Sequence, residues 1–204
     1  SLNGKKVIFN IPGGFSVYNS LCAIGSVCSL GYDIEEVIDA ISGAGTVKGR
    51  LELLKTNTDF GVIIDYAHTP DGLEKAINAV RGFTEGRVIT LFGCGGDRDP
   101  IKRPIMGEIG VKLADFAIIT SDNPRTEDPL AIIDDILKGV DPSMGPYVVV
   151  PERRTAIRYA MDIAQKDDII VLAGKGHETY QEIHGVKYHL DEREEVAAHL
   201  AEMG

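Results

Sequence analysis

Basic residues are in the minority in this sequence. The chain has 21 lysines and arginines against 31 aspartates and glutamates, which gives a net charge of -10. Such a chain has no broad basic field that could neutralise phosphate groups. The composition therefore predicts a protein that binds neither nucleic acid nor an anionic membrane surface.

Long hydrophobic runs are also lacking. No apolar stretch approaches the roughly 20 residues of a membrane span, and the first residues do not have the pattern of a secretory leader. There are 3 cysteines, Cys22, Cys28 and Cys94, and their spacing suggests neither a disulfide framework nor a zinc site. We therefore expect a cytoplasmic protein without a membrane partner or a metal bound by the chain itself, and we expect it to be a monomer.

Two common nucleotide-binding motifs are incomplete or missing. Gly93-x-Gly95 and Gly174-x-Gly176 resemble the start of a dinucleotide fingerprint, but Arg98 and Thr179 stand where the third glycine belongs. No Gly-x4-Gly-Lys-Ser/Thr sequence occurs anywhere in the chain. A hydride-transfer enzyme is thus disfavoured, and this chain alone cannot be a P-loop ATPase.

The first 49 residues contain too few elements for a complete domain. We predict a strand at 5–10, a helix capped by Ser16 and ending at Gly31, and a second helix from Asp33 to Ser42. The glycine-rich stretch 43–50 is typical of a linker. The sequence therefore predicts two parts, residues 1–49 and residues 50–204.

Strands and helices alternate after this linker. Strands are predicted at 51–56, 61–66, 88–92, 116–120, 147–150 and 169–173, and helices at 71–81, 104–113, 129–137 and 153–165. A hairpin is predicted over 180–190, followed by a helix that Asp191 caps. The pattern predicts an α/β fold with a Rossmann-like, doubly wound, mostly parallel sheet and a small C-terminal hairpin.

Four strand-to-helix loops carry unusual clusters of polar residues. They are Asp65-Tyr66-Ala67-His68-Thr69-Pro70-Asp71, Gly93-Cys94-Gly95-Gly96-Asp97-Arg98-Asp99, Asp122-Asn123-Pro124-Arg125 and Gly174-Lys175-Gly176-His177-Glu178. In a parallel sheet all four loops leave the same edge, where ligands bind. We therefore expect the four clusters to form one rim.

The residue types in these loops suit a ligand with several charged groups. Arg98 and Arg125 can each bind a carboxylate, Glu178 can bind an ammonium group, and Lys175 offers a movable positive charge. Three plainer interpretations stay open. Glu178 could be a solvated carboxylate on a loop. Arg98 could form a surface ion pair with Asp97 or Asp99, and the segment 120–129 could be an ordinary turn in which Asp122 or Thr126 caps the next helix.

The first of these loops allows more than one chemistry. Asp65, His68 and Asp71 have a spacing that a metal site could use, although a metal needs more than this spacing. Asp65 could equally accept hydrogen bonds from a ribose, with His68 beside it. A buried, hydrogen-bonded histidine is a further possibility.

Together these four motifs, with Lys102-Arg103-Pro104, resemble the Mur ligases that add the third peptide residue in peptidoglycan synthesis (the MurE type). Upstream, Val17-Tyr18-Asn19-Ser20-Leu21 and Gly49-Arg50-Leu51-Glu52 resemble the end of that family's central ATPase domain and its junction with the carboxyl-terminal domain. Ser16 departs from the family, which usually has asparagine before Val-Tyr-Asn. The resemblance implies that the chain holds the tail of the central domain and the whole of the amino-acid-binding domain.

The resemblance also implies ATP-dependent amide formation through an acyl phosphate. ATP, Mg²⁺, meso-diaminopimelate and a UDP-N-acetylmuramoyl dipeptide would be the ligands, with the P-loop and most magnesium ligands in the absent part. Matched to the family's motifs, the amino-acid pocket comprises Arg98, Asp122, Asn123, Arg125, Gly174 and Glu178. The adenine and ribose side comprises Asn19, Arg50, Asp65, Tyr66 and His68, with Lys175 and His177 as candidates near the phosphates.

Three other functions stay open on the sequence. The chain could be a binding or regulatory module that has the ligase's pocket but does not catalyse the reaction. It could also belong to a related ligase that adds lysine or recycles muropeptides. Arg125 speaks against lysine, since lysine has no distal carboxylate to pair with it. A metal-dependent hydrolase that uses Asp65, His68 and Asp71 is a more distant alternative.

Overall fold

The structure, a computed structural model, describes Val7, residues 14–44 and residues 47–203, without the side chain of Phe15. Apart from Val7, the strand predicted at 5–10 lies outside the described residues. The chain divides into two compact units, Ser1–Val47 and Lys48–Gly204. This division lies two residues before the boundary that the sequence suggested.

The first unit contains two described helices, α1 (Gly14–Ser29) and α2 (Ile34–Ser42). Asp33 caps α2 by accepting a hydrogen bond from the backbone N–H of Glu35 at 2.8 Å. Ile24 of α1 is buried with Val37 and Ile38 of α2. The prediction that Ser16 caps α1 is wrong, because the helix already begins at Gly14 and Ser16 lies within its first turn.

A six-stranded sheet forms the centre of the second unit. Its strands are β1 (Glu52–Leu53), β2 (Gly61–Asp65), β3 (Val88–Phe92), β4 (Phe116–Ile119), β5 (Tyr147–Val149) and β6 (Ile169–Ala173). The strand order is β1-β2-β6-β3-β4-β5, and all neighbours are parallel except β1 and β2. The predicted mostly parallel sheet is confirmed.

The edge strand β1 differs from its prediction. The sequence suggested a strand over 51–56, but only Glu52 and Leu53 pair with β2, in antiparallel register. Leu51 and Asn57 have left-handed φ angles of 40° and 55°. The left-handed conformation keeps Leu51 out of the strand, and beyond Leu53 the pairing with β2 continues only as a hydrogen bond from the N–H of Leu54 to the carbonyl of Val62 at 2.9 Å.

Helices cover both faces of the sheet. The remaining elements are α3 (Pro70–Arg81), α4 (Lys102–Leu113), α5 (Pro129–Leu137), α6 (Arg153–Ile163), the hairpin β7 (Tyr180–Ile183) and β8 (Val186–His189), and α7 (Glu192–Met203). Ile63, Phe92 and Ile77 belong to the core on the side of α3, α4 and α5. Ile64 and Ile157 belong to the core on the side of α6 and α7. Side chains that alternate along buried parallel strands therefore fill two apolar layers.

The helix termini follow local sequence signals. Asp128 caps α5 by accepting from the N–H of Leu130 at 2.8 Å, and Asp191 accepts from the N–H of Arg193 at 3.0 Å at the start of α7. The capping role that the sequence allowed for Asp122 or Thr126 is thus taken by Asp128. None of the helices within residues 14–44 and 47–203 is both long and apolar enough to span a membrane.

Candidate functional site

A cleft of about 400 Å³ lies where four parallel strands end. Because β2, β6, β3 and β4 are neighbours in the sheet, the loops that follow them leave the same edge. The cleft is lined by Tyr66, His68, Thr69, Gly95, Arg98, Asp99, Lys102, Asp122, Asn123, Arg125, Gly174 and Glu178. The structure thus brings together the six residues predicted for the amino-acid pocket, along with Tyr66 and His68.

Asn123 and Glu178 are joined by a direct hydrogen bond. Nδ2 of Asn123 donates to Oε2 of Glu178 at 2.8 Å, and Oδ1 of Asn123 accepts from the backbone N–H of Glu182 at 2.9 Å. Nζ of Lys175 donates to Oδ1 of Asn123 at 2.9 Å and to Oε2 of Glu178 at 3.2 Å. Lys175 is fully buried. The interpretation of Lys175 as a movable charge is therefore wrong, because its ammonium group is enclosed and already has partners.

Arg125 is fixed both by its backbone and by its side chain. Its φ angle is 53°, and its N–H donates to the carbonyl of Glu182 at 3.0 Å. Its Nη1 donates to the carbonyl of Gly96 at 2.7 Å, and its Nε lies 3.6 Å from Oε2 of Glu182. The Arg125 side chain is 21% exposed and lines the cleft, so it is anchored by these contacts and still accessible to a ligand.

Arg98 is less constrained than Arg125. Its side chain is exposed, and its Nη1 donates to the carbonyl of Asp97 at 3.0 Å. That contact involves the backbone of Asp97, whereas the surface-pair interpretation required the carboxylate of Asp97 or Asp99. The Asp97 carboxylate instead accepts from Oγ1 of Thr126 at 2.6 Å.

Aromatic rings and one guanidinium cluster at the β2 end of the cleft. The ring of Tyr66 lies 4.6 Å from that of His68 and 5.0 Å from that of His177. The guanidinium of Arg50 stands 4.9 Å above the Tyr66 ring, a cation–π geometry. Burial raises the pKa of the Tyr66 phenol, and the nearby negative charge of Glu178 raises it further. The hydroxyl therefore stays protonated at neutral pH and can donate a hydrogen bond.

Asp65 lies behind this cluster at the end of β2. It is 9% exposed, and its carboxylate accepts from the backbone N–H of Leu51 at 2.8 Å. Burial raises its pKa, while the hydrogen bond from Leu51 opposes this effect. Asp65 therefore ties the segment that carries Arg50 to the end of β2.

The three residues considered for a metal site point to different partners. Asp65 bonds to Leu51, Nδ1 of His68 lies 2.8 Å from the carbonyl of Tyr66, and Asp71 pairs with Lys75 at 2.8 Å. Within residues 14–44 and 47–203, no three histidine, cysteine or acidic side chains form a group that could hold a metal ion. The distant hydrolase alternative therefore has no support in the geometry.

Asn19 is the one predicted site residue in the first compact unit, where it is exposed on α1. Four residues that line the cleft were not among the predicted site residues: Thr69, Gly95, Asp99 and Lys102. Nζ of Lys102 donates to the carbonyl of His68 at 2.8 Å. These four residues lie within the polar loops or just after them. The loop pattern could have indicated this region, but not which of its residues line the cleft.

A buried ion pair lies next to the two strand ends that lead into the cleft loops. Arg153 and Glu192 are both fully buried and lie 2.8 Å apart. Nη2 of Arg153 donates to the carbonyl of Ala173 at 2.9 Å, and Nη1 donates to that of Ser121 at 3.4 Å. These carbonyls directly precede Gly174 and Asp122, so one guanidinium joins the ends of two strands that supply site residues.

The sequence and the fold both have clear relatives. The family model "Mur ligase, glutamate ligase domain" matches residues 49–176. The UDP-N-acetylmuramoyl-L-alanyl-D-glutamate--2,6-diaminopimelate ligase 1 of Clostridium acetobutylicum is 53% identical over 201 residues, which cover 98% of this chain and 41% of the relative. The corresponding ligase of Caldanaerobacter subterraneus is 53% identical over 198 residues, with coverages of 97% and 41%.

Solved structures of Mur ligases share this fold. A UDP-N-acetylmuramoyl-L-alanyl-D-glutamate--2,6-diaminopimelate ligase superposes with a TM-score of 0.76 at 36% identity, over 97% of this chain and 40% of that one. The UDP-N-acetylmuramate-alanine ligase of Thermotoga maritima superposes with a TM-score of 0.65 at 20% identity and covers 98% of this chain and 41% of that one, which shows a shared fold.

The chain spans about two fifths of the length of the curated relatives that it matches. The family match covers most of the second compact unit, including every cleft-lining residue except Glu178. This protein chain therefore belongs to the Mur ligase family and carries its glutamate ligase domain.

Proposed function

We propose that this chain is the amino-acid-binding part of an ATP-dependent ligase that adds meso-diaminopimelate to UDP-N-acetylmuramoyl-L-alanyl-D-glutamate. The observation that carries the proposal is the mixed charge of the cleft, where Arg98 and Arg125 face the same space as Asp122 and Glu178. Diaminopimelate carries carboxylate and ammonium groups at both of its ends. A cleft with cationic and anionic side chains can therefore pair with each end of this ligand.

Arg125 is the residue best suited to separate diaminopimelate from lysine. Among the residues that the structure describes, Nη2 of this anchored guanidinium donates no hydrogen bond, so this group can bind a carboxylate. Lysine has an ammonium group but no distal carboxylate, so it would leave the arginine without its partner. A half-buried polar group that stays unpaired makes such discrimination strong.

The cluster around Tyr66 is the proposed position of the nucleotide. Arg50 and the rings of Tyr66 and His68 provide flat and cationic surfaces that suit an adenine base and its ribose. Asn19 is included in this proposal on the resemblance alone. When bound, ATP would supply the phosphoryl group that activates the glutamyl carboxylate, Mg²⁺ would offset the charge of the phosphates, and the chain's own side chains would orient the incoming amine.

The test is calorimetric titration with meso-diaminopimelate, L-lysine and ATP, on this chain and on the full-length protein that contains it. We expect saturable binding of diaminopimelate, at least about tenfold weaker binding of lysine, and loss of this preference in Arg125→Ala. Arg154→Ala is a matched control, because Arg154 lies on α6 and contacts Glu195 and His189. Its affinity for diaminopimelate should match that of the unsubstituted protein.

Equal affinity for lysine would contradict the diaminopimelate specificity and favour a related ligase. Failure of the full-length protein to bind either amino acid would contradict the proposed function. A full-length protein that binds the amino acid but forms no amide with ATP and the UDP-linked dipeptide would instead be a binding module.

A further inference from the structure

Lys175 is a fully buried lysine in the loop that follows β6, with a relative exposure of 0%. Lysine is almost never fully buried unless its charge is paired. Because its ammonium group is enclosed, Lys175 cannot reach out to an anionic ligand. Lys175 therefore acts on the groups that its ammonium group contacts.

Three acceptors surround the ammonium group. Nζ of Lys175 lies 2.9 Å from Oδ1 of Asn123, 3.2 Å from Oε2 of Glu178 and 3.6 Å from Oδ1 of Asp122. The contacts to Asn123 and Glu178 are hydrogen bonds, and the longer contact to Asp122 is an ion pair. All three partners also line the proposed amino-acid pocket.

Lys175 also sets the orientation of the Asn123 side chain. Two donors, Nζ of Lys175 and the N–H of Glu182, face Oδ1 of Asn123. The amide nitrogen must then point the other way, where it donates to Oε2 of Glu178 at 2.8 Å. The same oxygen of Glu178 therefore accepts from both Asn123 and Lys175, while Oε1 has neither contact.

The charges around Lys175 do not cancel. Within residues 47–203, Lys175 is the sole cationic side chain with a nitrogen within 4.0 Å of a carboxylate oxygen of Asp122 or Glu178. One lysine against two carboxylates leaves one net negative charge. That charge matches a single ammonium group on the ligand.

We propose that Lys175 is a positioning residue for amino-acid recognition, which occupies Oε2 of Glu178 and leaves Oε1 to bind an ammonium group of the substrate. This inference rests on the proposed function and assigns to Lys175 a role inside that pocket. Without the lysine, Asp122 and Glu178 would be two poorly solvated carboxylates with no cation between them, and the amide of Asn123 would lose one of the donors that orient it.

The experiment compares the steady-state kinetics of the full-length protein with those of Lys175→Met, Glu178→Gln and the double variant. Methionine keeps most of the length of lysine without its charge. We expect the KM for meso-diaminopimelate to rise about 30-fold or more in Lys175→Met, as for removal of one partner of a buried pair. We expect the KM for ATP to stay within about twofold, because the lost interaction concerns the amino acid alone.

Lys187→Met is the matched control. Lys187 lies on β8, is exposed, and places its Nζ 4.1 Å from the ring of Tyr180, the same ring that lies 5.7 Å from Nζ of Lys175. This variant makes the same chemical change near the same tyrosine but leaves Asn123 and Glu178 untouched. Its kinetics should equal those of the unsubstituted protein.

The double variant tests whether Lys175 acts through Glu178. If it does, Lys175→Met/Glu178→Gln should have a KM for diaminopimelate no more than about threefold above that of Glu178→Gln alone, because coupled losses do not add. Fully additive losses, an unchanged KM in Lys175→Met, or an equal rise in the KM values for ATP and diaminopimelate would each overturn the inference. Each of these results leaves the proposed function intact, whereas an unsubstituted protein that does not use diaminopimelate refutes the proposed function and the inference with it.

A spectroscopic measurement covers the case in which Lys175→Met fails to fold. Protein labelled with ¹⁵N-lysine should show one ammonium signal that exchanges slowly with water, is absent from Lys175→Arg, and shifts when diaminopimelate is added. A Lys175 ammonium group that exchanges as fast as exposed lysines, or that does not respond to diaminopimelate, would overturn the inference.

Discussion

At Gly174 the backbone after β6 lies close to the loop after β4. The φ angle of Gly174 is 120°, and a Cβ atom placed there would lie 2.5 Å from Oδ2 of Asp122. A side chain at this position would therefore clash with a carboxylate that lines the cleft, in addition to straining the backbone. The distance between the two loops depends on the absence of a side chain here.

We predict that Gly174→Ala lowers the affinity for diaminopimelate at least about tenfold beyond any effect of Gly185→Ala. Gly185, between β7 and β8, has a φ angle of 75°, and a Cβ atom placed there would meet no other atom within 4 Å. Both variants should lose about 1–3 kcal/mol of stability from backbone strain. Calorimetric titration and thermal unfolding would separate the two effects, and equal affinities would contradict this account of Gly174.

Loops of similar composition differ in what they contribute to the cleft. Asp122 and Asn123 are buried and Arg125 is half-buried, whereas Arg98 is exposed. The residue types were sufficient to nominate these side chains, because ligands of parallel α/β sheets bind at the carboxyl ends of the strands. The enclosure of Lys175 could not be predicted, since it depends on Asn123, Asp122 and Glu178 from two loops that are distant in sequence.

At the scale of secondary-structure elements, β3 and β6 are also joined at their amino ends, opposite the cleft. Asp168, just before β6, is 2% exposed and accepts from the backbone N–H of Arg87 at 2.7 Å and from its Nη2 at 2.6 Å. It also accepts from the N–H of Gln165 at 2.8 Å. Burial acts to raise the pKa of Asp168, but the hydrogen bonds from Arg87 and Gln165 outweigh it and hold the pKa below its ordinary value of 3.8.

We predict that Asp168→Asn destabilises the protein at pH 7 by about 2 kcal/mol, through loss of charge-assisted hydrogen bonds. A carboxyl group with a lowered pKa in the folded state adds stability above its unfolded pKa, and this stability is lost as the pH falls through the folded value. The difference in the free energy of unfolding between Asp168→Asn and the unsubstituted protein should therefore shrink below pH 3.8. Urea unfolding from pH 7 downwards measures it.

Asp167→Asn is the control for this prediction. Asp167 is exposed and has a φ angle of 67°, a conformation that asparagine tolerates. Its substitution should change the free energy of unfolding by less than about 0.5 kcal/mol at any pH. A destabilisation by Asp168→Asn that stays constant down to about pH 2 would contradict the role of its charge.

At the scale of the whole molecule, both apolar layers of the sheet belong to the second compact unit. Their buried residues run from Leu51 to Val196, and the unit spans Lys48–Gly204. The described part of the first unit buries only Ile24, Val37 and Ile38 as a cluster. A core of that size is small for independent folding.

We predict that residues 48–204 fold without the first 47 residues. The truncated protein should unfold cooperatively, and its melting temperature should lie within about 5 °C of that of the 204-residue chain, a shift that corresponds to about 1–2 kcal/mol. Circular dichroism and amide NMR spectra would test this. A peptide of residues 1–47 should show no cooperative transition, and a truncated protein with collapsed amide dispersion would refute the prediction.

The sequence by itself determined the order of strands and helices from residue 61 onwards, the mostly parallel sheet, and the four loops at its carboxyl edge. The spacing of apolar residues and the capping residues are local features, so these elements can be predicted along the chain. Only the tertiary structure decided that β1 is a short antiparallel strand, that Lys102 lies at the cleft, and that Lys175 is a buried partner of Asn123 and Glu178. Burial and pairing of this kind depend on side chains that folding brings together from distant loops, and spacing along the chain does not encode them.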